Sequence, residues 1–488
     1  MDTEKEDTVL SNESISKNNV VYLLYNVLNM LFPFITGIYI ANVLSPSSIG
    51  QISYAQNIVQ YFVILSFLGI PTYGLREIAN NRHDKNKLSK VHSELLIINF
   101  ISTACFLGAY LILIFSIPDF YANVTLHLIL GSHIFLNIFN NSWLYEGLEK
   151  FTYITILNLI FKVFSFTMLV LFVQSESDNL KYAFISVLGT AGNYITNIIY
   201  SKKYVNFTFK NLNFKKHLKP ILYLVLVNLA IEIYSLVDTT MIGIFCADEN
   251  VAFYTYGNRI YKVFLQLLNT FAIVVVPRLS SHYQKAEMDS FNSLISQTLR
   301  LILVLALPVI IGIQFVSGFF ITQLYGQAYL SSAFVLRILS PILIIAPIGY
   351  LLGSRILLIA GKEKFMFLCV GIGAIVNIIG NIFLINLFAE HGASIASVIS
   401  ELVIAVVYFN LGKKYFKIDK RLKFDFLKII IACCLLTIYL LLINMLALSG
   451  WLNFIIQVLG SVIIYFISLC LFKVEPTQKI LNKLIRRG

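Results

Sequence analysis

The chain has 488 residues, of which 58% are hydrophobic and 13% charged, with a mean hydropathy of +0.79. A soluble protein carries about 25% charge, so these figures exclude a soluble enzyme, a disordered chain and a secreted disulfide scaffold, and leave an integral membrane protein. The net charge of +12 is not a nucleic-acid signal, because the basic residues sit in short connections between apolar runs, where they set topology.

In chain order, residues 1–18 are polar and lack the basic start and apolar core of a secretory signal. A helix needs about 20 apolar residues to cross a bilayer. Spans are therefore expected at 19–41, 48–75, 89–116, 120–145, 151–173, 179–201, 219–246, 250–277, 295–317, 330–360, 363–386, 390–411, 425–447 and 451–472. Each run is long, apolar and free of period-two alternation, so the fold class is all-α: a polytopic membrane protein of about fourteen transmembrane helices. Pro33, Pro308, Pro341 and Pro347 mark expected kinks. With the N-terminus inside, 30 of the 37 Lys and Arg residues fall in the inner connections, and of the outer ones only Lys181 breaks the pattern. Both ends are then cytoplasmic. The longest expected outer connection, 318–329, is uncharged. The six cysteines lie in or beside apolar runs without metal-ligand or redox spacing, as packing residues do.

A shift of 202 positions lays residues 40–63 on 242–265. Tyr54 then meets Tyr256, Ile58 meets Ile260, Phe62 meets Phe264, and beyond the run Arg76 meets Arg278. The shift carries span 2 onto span 8 in the same orientation. This implies two six-helix lobes related by a pseudo-two-fold along the membrane normal, a layout suited to alternating access. The expected organisation is an N-terminal lobe at 1–201, a basic linker at 202–218, a C-terminal lobe at 219–412, and two further spans with a basic tail at 413–488.

A charge at the bilayer centre costs about 2.5–3.5 kcal/mol. Lys162, Arg259, Lys262 and Arg337 together would cost on the order of 10 kcal/mol facing lipid, so they are expected to face a wet interior as a cationic cavity. Gln266 and Asn269 extend the face of Arg259 and Lys262, and their duplicates in the first lobe are Asn57 and Gln60. Arg300 and Arg355 lie near the inner surface and are expected to snorkel. The acidic residues taken within spans are Glu232, Asp238 and Glu401. Asp238 with Asn377 and Asn381 supplies the hard oxygens that suit Na+ or H+ coupling; helix–helix hydrogen bonding is the alternative reading. No nucleophile–His constellation, metal-ligand pattern or phosphate-binding Gly loop is present, so neither an enzyme nor an ATP-driven pump is expected.

Several segments resemble bacterial polysaccharide flippases: Ile70–Ala79 (IPTYGLREIA), Val237–Gly243 (VDTTMIG), Gly257–Tyr261 (GNRIY), Val276–Ser280 (VPRLS), Ala360–Lys364 (AGKEK) and His391–Ser397 (HGASIAS). The chain is identified by them, in their order, as similar to the Wzx-like, polysaccharide-transporter branch of the multidrug/oligosaccharidyl-lipid/polysaccharide exporter superfamily. The resemblance implies a flippase in the bacterial cytoplasmic membrane. Its substrate would be an undecaprenyl-pyrophosphate-linked oligosaccharide for capsule or O-antigen, moved from the inner to the outer leaflet among membrane lipids. A polysaccharide polymerase would act downstream, and no nucleic acid takes part. It also implies that the cationic residues meet the pyrophosphate. The rival readings are a lipid II flippase, a multidrug/cation antiporter of the same superfamily, and, from another class, a repeat-unit polymerase, which would need a large outer loop.

Overall fold

The computed structural model describes residues 32–446 and 450–475. The polar segment 1–18, most of the first expected span and most of the basic tail lie outside the described residues. Among the described residues every regular element is helical, and they divide into two compact units between Leu236 and Val237.

The first unit holds α1 (Phe32–Ala41), α2 (Pro46–Phe67), α3 (Ile70–Asn81), α4 (Lys85–Ser116), α5 (Pro118–Ala122), α6 (Val124–Leu136), α7 (Ser142–Gly147), α8 (Phe151–Phe172), α9 (Asn179–Ser201) and the longer part of α10 (Lys215–Phe245). The second continues with α11 (Asp248–Val274), α12 (Val276–Gln284), α13 (Met288–Tyr325), α14 (Leu330–Leu339), α15 (Ile342–Gly349), α16 (Ile356–Ile359), α17 (Glu363–Gly412), α18 (Arg421–Met445) and α19 (Gly450–Leu471). Every expected span from residue 48 onward is occupied by helix. Among the described residues, eight helical stretches are long and apolar enough to cross a membrane by length and composition.

The expected spans differ from the helices where the backbone turns locally. Span 48–75 is broken at Leu68 (φ 49°) and Gly69 (φ 69°), both left-handed, after which Pro71 starts α3. The stretch 318–329, expected as a connection, is mostly helix. Its apolar sequence lets α13 run to Tyr325, and Gly326 (φ 92°) ends it. Spans 363–386 and 390–411 are the two arms of α17, which reverses at Ala389 (φ 48°, ψ −126°). The arms pair as a hairpin: Gly373 lies against Ile404, Gly380 against Ala396, and Gly392 against the backbone of Leu384. A Cβ at Gly392 would come within 2.0 Å of the Leu384 carbonyl oxygen, so only glycine permits this approach.

In the first unit, Ile70, Tyr73, Leu95, Trp143 and Leu144 form part of a buried core. Gly74 sits flat on the Trp143 indole, where a Cβ would meet the ring at 2.6 Å. The segment after α9 is strapped to α4: Ser89 and Ser93 accept the backbone N–H groups of Asn206 (3.0 Å) and Thr208 (2.9 Å). The second unit repeats this device on α13, where Asn292 and Ser296 accept the N–H groups of Lys417 (2.8 Å) and Asp419 (3.1 Å). In both, acceptors one helical turn apart catch alternate residues of an extended segment. The expected linker 202–218 is thus held along α4, and the division between units falls further on, inside α10.

Candidate functional site

The second unit gathers a buried polar cluster around Asp238, which is 6% exposed. Asp238 lies near the end of α10 and Tyr254 in the second turn of α11. Asn377 and Asn381, one turn apart, lie on the first arm of α17, and Ser397 on the second. The hairpin at Ala389 sets residue 397 opposite residue 381, so sequence-distant positions meet. Asp238 Oδ2 accepts the hydroxyls of Tyr254 (2.5 Å) and Ser397 (2.5 Å), and Oδ1 accepts the Asn381 amide at 2.6 Å. Asn381 also donates to Asn377 Oδ1 at 3.2 Å. Three donors thus converge on one carboxylate and satisfy both of its oxygens.

Two buried atoms of this cluster, Asn377 Nδ2 and Asn381 Oδ1, have no hydrogen-bond partner among the described residues. Such orphans are uncommon in a packed interior. The donor set of one carboxylate, two amide oxygens and two hydroxyls consists of hard oxygens and fits a small cation or a proton. Of the other expected acids, Glu401 is buried one turn beyond Ser397 on the same arm. Glu232 is held within its own helix, its carboxylate 3.5 Å from the Ser235 hydroxyl.

Of the four expected cationic residues, Arg259, Lys262 and Arg337 belong to the second unit and Lys162 to the first. Arg259 on α11 is half-buried, with its guanidinium 5.0 Å from the centre of the Tyr256 ring. Arg337, also half-buried, is on α14, which packs on α11. It donates to the Ser317 hydroxyl at 2.8 Å and stands 5.1 Å from the Phe334 ring centre. Among the described residues no carboxylate pairs with Arg337. Lys262 is exposed. Lys162 belongs to the first unit and lies 5.5 Å from the Phe32 ring centre. Of the uncharged face, Gln266 is exposed and Asn269 half-buried. Asn57 is buried and donates to the Leu236 carbonyl at 3.1 Å, while Gln60 lines a small cavity between α2, α6 and α9.

The snorkelling expected of Arg300 does not occur. Its side chain is 4% exposed and ion-paired with Asp425 at 2.8 Å and with Glu475. These acids come from α18 and from the segment after α19, which sequence distance concealed.

Among the buried acids that the sequence did not single out are Glu94 and Glu390. Glu94 lies inside the expected span 89–116 and is fully buried, so the criterion that selected Asp238 also selects it. Its Oε1 accepts the Asn213 N–H (2.7 Å), and its Oε2 accepts Lys216 (2.8 Å) and His217 Nε2 (2.8 Å). The other ring nitrogen, His217 Nδ1, lies 2.8 Å from the Tyr73 hydroxyl, so both nitrogens of the buried ring are hydrogen-bonded. Glu390, at the hairpin turn, accepts from Asn250 at 2.6 Å and from Ser331. Its place at a span boundary hid it.

Residues 15–283 match the family described as "Polysaccharide biosynthesis protein". The Escherichia coli (strain K12) protein named "Putative O-antigen transporter" is 22% identical over 412 residues, covering 81% of this chain and 96% of that one. Among solved structures, "Lipid II flippase MurJ, inward closed conformation" matches with a TM-score of 0.74 at 17% identity, over 93% of this chain and 98% of that one. An inward-facing multidrug resistance MATE family transporter of the MOP superfamily matches with a TM-score of 0.64 at 16% identity, over 83% and 98%. At these identities the structural matches establish a shared fold.

Proposed function

Because the chain belongs to the polysaccharide biosynthesis protein family, we propose that it is a flippase for an undecaprenyl-pyrophosphate-linked oligosaccharide, carried from the inner to the outer leaflet of the bacterial cytoplasmic membrane by alternating access. Both termini are cytoplasmic in this reading, and a polymerase takes the product on the far side.

The observation that carries the proposal is the setting of Arg337. A guanidinium half-buried among apolar helices is held by a hydroxyl and an aromatic face, and no carboxylate among the described residues neutralises it. A buried charge without a counter-charge is expensive, and an anion entering beside it removes that cost. A pyrophosphate offers several oxygens to the planar guanidinium fork. Arg259 on the neighbouring helix and Lys262 add positive charge in the same unit, and Lys162 adds it in the first. The cluster of Asp238, Asn377, Asn381, Ser397 and Tyr254 is the seat of coupling to Na+ or H+, with Glu401 and Glu232 near it in sequence or along the same helix. A cation there supplies the driving gradient, while the hydroxyl rotors and amides of the cluster exchange their bonds to Asp238 for bonds to the cation.

The test is surface polysaccharide in host cells carrying Arg259→Ala or Arg337→Ala. Loss of surface polymer, with the lipid-linked unit accumulating and the protein at normal level in the membrane, is expected. Normal surface polymer in both variants would remove the cationic route from the proposal.

A further inference from the structure

Three helices of the first unit enclose a polar cavity of about 210 Å³. Its polar lining is Gln56 and Gln60, one turn apart on α2, His133 on α6, and Ser186 and Thr190, one turn apart on α9. We infer that this cavity is a carbohydrate subsite that takes one uncharged sugar ring of the lipid-linked glycan; the inference rests on the flippase reading above.

The depth of the cavity comes first. Helices α2, α6 and α9 occupy expected spans 2, 4 and 6, which run in the same direction. At 1.5 Å per residue, the five polar residues lie about 10–20 Å in from the start of their helices. That is the middle of a hydrocarbon core about 30 Å thick. Polar side chains are expensive at that depth unless they have partners, and transporters place their substrates there.

The partners are incomplete. Gln56 donates to the Ser186 hydroxyl at 3.1 Å, Ser186 to the Ala183 carbonyl at 2.7 Å, and Thr190 to the Ser186 carbonyl at 2.9 Å. These bonds use the hydroxyl protons and leave the Gln56 carbonyl and the hydroxyl lone pairs as acceptors. His133 Nε2 is buried without a hydrogen-bond partner, and Gln60 has none among the described residues. The cavity therefore presents a whole amide and several acceptors beside the His133 ring, and it lacks any charged side chain.

That chemistry selects the ligand. Without a carboxylate the cavity has nothing to hold a cation, and without Lys or Arg it has nothing to neutralise a pyrophosphate. Paired donors and acceptors match the hydroxyls of a sugar, each of which both donates and accepts. Val59, Leu130 and Val187 complete the wall and offer an apolar surface to the C–H face of a ring. At roughly 15–30 Å³ per water-sized group, the volume holds on the order of ten such groups, the scale of one hexopyranose.

The experiment uses the full-length protein in lipid nanodiscs and two probes: the lipid-linked oligosaccharide extracted from host cells lacking this protein, and undecaprenyl pyrophosphate without sugar. The unsubstituted protein is expected to bind the glycosylated probe more tightly. Gln60→Leu and His133→Leu are each expected to weaken binding of that probe about tenfold and leave the bare probe unchanged. Ile195→Ala, on the same helix α9 but exposed and outside the cavity lining, is expected to behave as the parent, a control for substitution of the helix. Preference for the glycosylated probe surviving in both leucine variants, or an equal loss for both probes, overturns the subsite. Binding of neither probe by the unsubstituted protein overturns the flippase reading, and the subsite falls with it.

Discussion

Replacing Asp238 by Asn separates the coupling role of the buried cluster from its packing role. Asp238 accepts three hydrogen bonds, from Tyr254, Ser397 and Asn381. Bonds to a charged acceptor contribute about 1.5–3 kcal/mol each, so Asp238→Ala would strand three buried donors and cost several kcal/mol, confounding folding with function. Asn keeps the shape and one acceptor oxygen. Its new NH₂ finds an acceptor if the Asn381 amide turns to present Oδ1, an atom now without a partner. The structural cost of Asp238→Asn is then about 1–2 kcal/mol. What the variant loses is the negative charge a cation needs. An ion present at 100 times its Kd stabilises the folded protein by about 2.7 kcal/mol, a rise of a few degrees in Tm for a chain this large. The assay is thermal unfolding of the purified protein in detergent, in sodium or choline at equal ionic strength, and at several pH values in choline. The unsubstituted protein is expected to respond to sodium or to pH, and Asp238→Asn to lose that response while unfolding within a few degrees of the parent in choline. A variant that keeps the full response, or a parent that responds to neither ion, refutes the coupling site.

Glu94→Ala removes the acceptor for Asn213, Lys216 and His217 and is expected to destabilise the first unit by about 3–5 kcal/mol, the range for breaking a buried pair. The Lys216 share is small, since that side chain is 42% exposed and can turn to water; an unfolding midpoint equal to the parent's counts against the network. Gly392→Ala drives a methyl to 2.0 Å from the Leu384 carbonyl, an overpacking of about 1–3 kcal/mol or more. Reduced protein in the membrane is expected, and parental stability would contradict the hairpin.

Much of this fold is legible from hydropathy because each span must bring about 20 apolar residues, and α8, α9, α18 and α19 begin and end within a few residues of the expected limits. The breaks are less legible. Gly69 with Pro71 behind it signals a break, but nothing marks Leu68 as left-handed, and Ala389 adopts a positive φ with no glycine to announce it. Such turns are imposed by the packing of the arms on either side, which is tertiary information. The candidate site divides the same way. Asp238, Asn377 and Asn381 stand out as polar residues in apolar runs, and the structure brings them together. Tyr254 gives no such signal, because a tyrosine near a membrane boundary reads as an interface anchor. Arg300 looked ready to snorkel because its partners Asp425 and Glu475 are more than a hundred residues away.

The duplication seen in sequence is also visible in how the halves are built, and the halves differ in chemistry. The straps onto α4 and α13 use the same spacing of acceptors. Tyr54 and its duplicate Tyr256 both rest on aromatic rings near the end of the long helix that follows, Phe120 in one unit and Tyr325 and Tyr329 in the other. Yet Asn57 and Gln60 stand where the second unit has Arg259 and Lys262. The buried ion at the strapped end is an acid, Glu94, in the first unit and a base, Arg300, in the second. A shared scaffold therefore carries an uncharged polar cavity in one unit and, in the other, half-buried arginines and a buried carboxylate cluster. A lipid-linked glycan has the same division: its pyrophosphate needs charge, and its neutral sugars need amides and hydroxyls. In the proposed flippase, a symmetric pair of lobes would serve one end of such a molecule twice, whereas lobes of unlike chemistry would serve both ends.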